Sequence, residues 1–345
     1  MYTSIKRIFL LALIIFVNSC NKGNPITNDD AMSGKIVFTS IDTTNHRSFL
    51  YRINMDGSNL TQLMFPTEIG DTVNGTPRVR GSASDPRWSP DGKKIIYRES
   101  LGPDESHIVM MNEDGSHKKN LTVIGGYATR PKWSPKGDQL MYFRGTYLGA
   151  IIALAIVDTN GYSTDVIGIS DMSLPFVSDK VYIGPSLGID WAGSENFIYL
   201  YGSIGKRYGD PGYTESLEIF RFDIAGKKLV ERITYNTFNE GLVEISHVDN
   251  RLVFSKGVSQ TNTKIFTMAF HDSVATELTS GPNDGKPKWS NDGSHIIYVK
   301  DEDNDTYNDS EFSNRMYIVD PREPLKERRI SPVVANDPDL FFKKY

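Results

Sequence analysis

The chain holds a single cysteine, Cys20, so no intramolecular disulfide can staple its fold. Histidine is scarce too. His46, His107, His117, His247, His271 and His295 are the whole set, and none falls at the His-x-x-x-His spacing of a helix-borne metal pair. Long apolar runs are missing: Ile8 to Val17 is ten residues, too few to cross a bilayer as a helix. Positive charge is in deficit, with 38 Lys and Arg against 43 Asp and Glu, a net of −5. Such a balance argues against a nucleic-acid partner, which needs a basic surface. No Pro/Ser-rich linker and no long charge block divides the chain after residue 34, so a single large domain is expected although the length would permit two.

What is present is repetition. Pro86-Arg87-Trp88-Ser89-Pro90-Asp91-Gly92-Lys93, Pro131-Lys132-Trp133-Ser134-Pro135-Lys136-Gly137-Asp138 and Pro287-Lys288-Trp289-Ser290-Asn291-Asp292-Gly293-Ser294 are variants of one eight-residue phrase. Self-similarity at roughly 40–55 residues marks an array of small sheets, none of which can bury its faces alone. Each phrase reads as a short strand entered at proline and then a tight turn at glycine. A β-rich run such as Lys94-Ile95-Ile96-Tyr97 follows, then a third strand such as Ile108-Val109-Met110-Met111. The Asp114-Gly115 turn and Lys119-Asn120-Leu121-Thr122 close the unit. The expected class is therefore all-β: a six-bladed propeller of four-stranded antiparallel blades. The first unit lacks its Pro-x-Trp strand, and Asp337-Pro338-Asp339-Leu340-Phe341-Phe342 at the far end looks like the missing piece. The C-terminal strand is expected to pair with the first blade and close the ring.

Trp88-Ser89-Pro90-Asp91-Gly92-Lys93-Lys94-Ile95, with its later Asp-Gly-Ser turn and Leu-Thr close, resembles the WD-repeat-like β-propeller of TolB-type proteins. It is also similar to the propellers of dipeptidyl-peptidase-IV-type enzymes and oligogalacturonate lyases. The resemblance covers residues 34–345, with no room expected for the extra N-terminal domain of TolB or the hydrolase domain of the peptidases. It implies a fold closely and a function loosely, because propellers serve many purposes.

The N-terminus carries its own expectation. Lys6-Arg7, the apolar run and Val17-Asn18-Ser19-Cys20 resemble a bacterial lipoprotein signal, with 1–19 removed and Cys20 acylated. Residues 20–33 then form a polar tether, and 34–345 the propeller. Asn21 after the cysteine favours the outer membrane, facing either the periplasm or the cell surface.

Blade geometry puts tight turns at one end of the ring and the insertions 65–84, 168–187, 202–216 and 301–314 at the other. Long loops on a rigid scaffold gather binding residues, so the long-loop face is the expected working face. Tyr182, Tyr201, Arg207, Tyr208 and Tyr213 are its candidate contacts to a partner protein or envelope polysaccharide. Asp301, Asp303, Asp305 and Asp309 follow the spacing of an oxygen-ligand calcium loop, although Thr306 and Phe312 stand where glycine and glutamate belong. Gly184-Pro185-Ser186-Leu187-Gly188 spells a hydrolase elbow, but a blade strand rather than a helix follows it. His46 and His107 could meet on the long-loop face, while His295 lies at the other end. No residue is singled out as catalytic. The expected function is a non-catalytic, lipid-anchored envelope propeller that binds through its long-loop face. The alternative is a polysaccharide-processing lyase or hydrolase on the same ring.

Overall fold

A computed structural model describes residues 34–342 except 43–46, 65–66, 74–75, 103–104, 123–125, 147–150, 169–172, 177–178, 184–188, 194–195, 206–217, 236–240, 260–261, 303–313 and 331–333. The described residues all belong to one compact unit, Ser33–Tyr345. The leader, Cys20 and the tether lie outside them.

The described elements are all strands. The first sheet holds β1 (Gly34–Asp42), β2 (Arg47–Asn54) and β3 (Thr61–Gln62). A separate hairpin follows, β4 (Thr67–Val73) and β5 (Thr76–Arg80). The second blade is β6 (Ser82–Trp88), β7 (Lys94–Gly102), β8 (Glu105–Asn112) and β9 (Lys119–Asn120). The third is β10 (Tyr127–Trp133), β11 (Gln139–Gly145), β12 (Ile151–Asp158) and β13 (Ser163–Gly168). Then comes the hairpin β14 (Ser173–Phe176) and β15 (Asp179–Ile183). The fourth blade is β16 (Ile189–Trp191), β17 (Phe197–Ile204), β18 (Glu218–Asp223) and β19 (Lys228–Arg232). The fifth is β20 (Gly241–Ile245), β21 (Arg251–Ser259), β22 (Asn262–Ala269) and β23 (Thr276–Glu277). The sixth is β24 (Asp284–Trp289), β25 (Ile296–Asp301), β26 (Asn314–Val319) and β27 (Arg328–Arg329). The last strand, β28 (Asn336–Phe342), pairs antiparallel with β1, Gly34 opposite Phe342 and Ile36 opposite Leu340. It supplies the innermost strand that the first blade lacks, as the tail sequence predicts.

The second strand of each blade is covered on both faces, which explains its near-continuous apolar run. Ile95, Ile96 and Tyr97 are all fully buried. Period-two alternation sends Ile95 and Tyr97 into a layer shared with Val37 and Leu50 of blade 1, and Ile96 into one shared with Trp133 and Leu140 of blade 3. The same arrangement joins blades 3 and 4, 4 and 5, and 5 and 6. Between blades 6 and 1, Asn291 brackets the last strand, donating to the Phe342 carbonyl at 3.1 Å and accepting its N–H at 2.6 Å. The four tryptophans fill these layers, each packed against the preceding blade.

The Trp-Ser-Pro-Asp-Gly phrase builds its own turn. The Ser89 hydroxyl accepts the Lys94 N–H at 2.9 Å and donates to Asp91 at 2.7 Å, while Gly92 takes φ +68°. Two expected loops are better ordered than the sequence reading allowed. Parts of 65–84 and 168–187 form hairpins, and β15 pairs with the far end of β17, Val181 opposite Ile204. The Asn74-Gly75 letters between β4 and β5 are the hairpin signal that reading passed over.

Candidate functional site

Six innermost strands surround the channel: β28, β6, β10, β16, β20 and β24. Each presents one charged residue, and five of the six carry it immediately before a tryptophan or leucine in the repeated phrase. In ring order these are Asp339, Arg87, Lys132, Asp190, Glu244 and Lys288, three carboxylates and three cations. All six line one cavity of about 250 Å³, with Ser89, Pro90, Ser134, Pro135, Ser290 and Asn291 at its tight-turn end. The cavity therefore opens at the end opposite the expected long-loop face.

A recurrent backbone device precedes these charges. The register slips between Ser84 and Arg87, Thr129 and Lys132, Gly241 and Glu244, Gly285 and Lys288, and Asn336 and Asp339, a bulge in five innermost strands. Asp85, Arg130, Lys286 and Asp337, each just before the proline, take φ between 48° and 55°. Bulges re-aim the side chain that follows, and left-handed non-glycine residues held in place by their surroundings cluster at functional sites. Lys286 also pairs with Asp337 at 3.1 Å.

The charges close the throat by pairing. Arg87 of blade 2 reaches Glu244 of the facing blade 5, Nη2 to Oε1 at 2.6 Å, and approaches Asp339 at 3.8 Å. Lys132 also pairs with Glu244 and lies 3.3 Å from Asp190, whose other oxygen is 3.2 Å from His247 Nε2. Asp339 accepts the Trp88 N–H at 2.7 Å. Burial alone would raise the Asp190 carboxyl, but Lys132 and His247 outweigh it and hold it well below the usual range. Burial likewise opposes ionised Glu244, yet Arg87 and Lys132 bring it down to about 2. Burial pushes His247 down, and the Asp190 carboxylate more than offsets this, so its imidazole is raised. Lys288 is different. Burial, and Arg87 beside it, push its ammonium down to about 8, and its Nζ has no hydrogen-bond partner among the described residues.

Of the binding and metal residues singled out from sequence, Tyr182, Tyr201 and Asp301 are among the described residues. Tyr201 is a core residue, 3% exposed, whose hydroxyl donates to the Val243 carbonyl at 3.3 Å. It is no part of an exposed face, because β17 runs on to Ile204 where a loop was expected. Tyr182 is half-buried in β15 opposite Ser203. Arg207, Tyr208, Tyr213, Ser186 and His46 lie outside the described residues. So do Asp303, Asp305 and Asp309, while Asp301 is a buried strand-end residue of β25. Among the described residues no group of three or more His, Cys, Asp or Glu is placed to hold a metal. His107 is buried in β8, 3.2 Å from Glu105, and His295 packs against Phe342. The histidine at the cavity is His247, which the sequence reading passed over. The signal that could have found the site was the middle letter of Pro-x-Trp, charged in every copy.

No protein-family model matches this sequence, and no curated protein matches it. Among solved structures, TolB from Acinetobacter baumannii aligns over 90% of this chain and 67% of its own, with a TM-score of 0.62 and 16% identity. The fold is the TolB-type β-propeller. A chain of a nidogen/laminin complex aligns over 89% of this one and 98% of its own, with a TM-score of 0.54 and 8% identity. An oligogalacturonate lyase in complex with manganese reaches a TM-score of only 0.44 over 86% of this chain and 74% of its own, at 13% identity, and carries no argument about activity. At these identities the TolB-type ring is shared and the throat has to be read from this chain's own residues. No helix among the described residues is long and apolar enough to cross a membrane.

Proposed function

We propose that this protein is a lipid-anchored envelope propeller that binds a segment of a partner protein at the tight-turn mouth of its channel. One observation carries the reading: side chains from six different innermost strands converge as donors and acceptors on a single cavity. Concave sites with a few fixed polar groups on rigid strands are where ligands are recognised. A space of about 250 Å³ admits the tip of a chain and not a folded domain. Anchoring rests on the Lys6-Arg7, apolar run and Cys20 pattern, and the outer membrane on Asn21. The site proposed is the opposite end from the insertions 202–216 and 301–314.

The test is capture from envelopes with the full chain tethered through Cys20, using two variants. Pro135→Trp puts bulk at the exposed rim of the mouth. The second replaces 202–216 by a Gly/Ser segment of equal length. A partner retained by the loop variant and lost with Pro135→Trp supports the reading. The reverse pattern restores the long-loop face as the working surface.

A further inference from the structure

The donors and acceptors of this cavity do not balance. Lys288 Nζ, Arg87 Nε, Trp88 Nε1 and Trp289 Nε1 are buried N–H groups without a hydrogen-bond partner, and all four residues line the same cavity. No acceptor of a residue lining it is left in that condition among the described residues. The other two tryptophans of the repeat are satisfied by the preceding blade: Trp133 donates to the Arg87 carbonyl at 3.4 Å, and Trp191 to the Lys132 carbonyl at 3.2 Å. The surplus therefore lies on the innermost strands of blades 6 and 2, on either side of the closing strand β28. Buried donors left unpaired are costly, and native proteins seldom keep several together without a function for them.

Lys288 decides what would fill the gap. It is only 5% exposed, yet unlike Arg87 and Lys132 it makes no ion pair among the described residues. An ammonium has three donors and no acceptor, so its complement is a group that only accepts. Two features limit that group's charge. Asp337, Asp339 and Glu244 all act on Lys288, and they would repel a dianion such as phosphate. The six channel charges balance, so one unpaired ammonium calls for a group of no more than a single negative charge.

We infer that the throat is a carboxylate-binding site, in which the carboxylate of an incoming polypeptide, from its chain terminus or from an acidic side chain, seats on Lys288. The inference rests on the proposed partner-segment function and names the group that the segment presents. Bound there, the carboxylate would give Lys288 the ion pair it lacks and leave Arg87–Glu244 and Lys132–Asp190 undisturbed.

The experiment follows the Lys288 ammonium by NMR in the full chain labelled at lysine side chains, with its resonance assigned through Lys288→Met. Three peptides are titrated: acetyl-triglycine with a free terminus, acetyl-Gly-Glu-Gly amide, and acetyl-triglycine amide. Inorganic phosphate is the fourth probe. One of the two carboxylate peptides should shift the Lys288 signal saturably and raise its titration midpoint, with the neutral amide inert. Which of the two acts tells terminus from side chain. Affinity should fall about tenfold or more in Lys288→Met. If that variant fails to fold, Lys288→Arg provides the assignment and the wild-type titrations decide. A silent Lys288, equal binding of the neutral amide, or tighter binding of phosphate would overturn the inference. The two claims fail separately. A partner captured at the mouth equally well by Lys288→Met sinks the carboxylate site alone. Carboxylate binding with no mouth-dependent partner sinks the function alone.

Discussion

Arg87 and Glu244 meet across the channel from facing blades, guanidinium to carboxylate at 2.6 Å, and their side chains are 14% and 16% exposed. The pair joins opposite sides of a ring whose neighbouring blades meet mainly through apolar layers. Removing one partner leaves the other charge in a largely dry throat. Glu244→Gln should cost about 2–4 kcal/mol, toward the lower end for a broken buried pair because Asp339 still faces Arg87 and Asp190 still faces Lys132. Arg87→Met with Glu244→Leu should cost less than the two single changes together. Urea unfolding of the four proteins checks both statements.

Acid should loosen the same throat. Glu244 and Asp190 both have folded values below their ordinary ones, 4.5 and 3.8, so the folded state binds fewer protons than the unfolded chain as pH falls through that range. Their contribution is complete above about pH 4.5 and is lost as pH falls toward 2, on the order of 3 kcal/mol for Glu244. His247 works in the other direction. Its folded value lies above 6.5, so its contribution is complete below pH 6.5 and fades as pH rises past the folded value. Glu244→Gln should flatten the acid limb of a stability–pH curve, and His247→Gln its neutral-to-alkaline limb.

Lys288 should be a liability to the empty protein. Its folded value, about 8, lies below the ordinary 10.5, so the charged form is penalised below pH 8 and the penalty is relieved as pH rises from 8 to 10.5. Lys288→Met is expected to be as stable as the wild type or more so at pH 7, by up to about 3 kcal/mol. The advantage should vanish above pH 10. Thermal melts at the two pH values measure it.

The closing strand gives a stability test independent of charge. Gly92 takes φ +68°, and a Cβ there would lie 2.3 Å from the Phe341 ring of β28. Gly205 takes φ +76° with nothing within 4 Å of the same position. Gly92→Ala should therefore cost about 2–4 kcal/mol, and Gly205→Ala only the 1–2 kcal/mol of the strained backbone. A chain ending at Asn336 keeps only the Thr39–Asn336 end of the β28 pairing and should melt at a markedly lower temperature.

Most of the ring is legible in the sequence because its physics is local. Pro-x-Trp-Ser, the Asp-Gly turns and the apolar second strands each specify their own blade, and the tail Asp339-Leu340-Phe341 announces itself by matching the absent strand. The eroded fifth blade lost its tryptophan yet kept the Leu252-Val253-Phe254 run, which suffices when both faces are covered. The throat is harder to see. Arg87, Lys132, Asp190, Glu244, Lys288 and Asp339 lie dozens of residues apart, and only their stacking around one axis makes them neighbours. Their charges cancel, so composition gives no hint. Loop length, by contrast, pointed to the other end of the ring, where Tyr201 proved to be packing and where two insertions hold paired strands.

The most direct test places a photo-crosslinking residue at Pro135, on the rim of the cavity, or at the exposed Lys180 of β15, in intact cells. The expected result is a discrete cross-linked partner from Pro135, with none from Lys180. A partner trapped from Lys180 and not from Pro135 would contradict it.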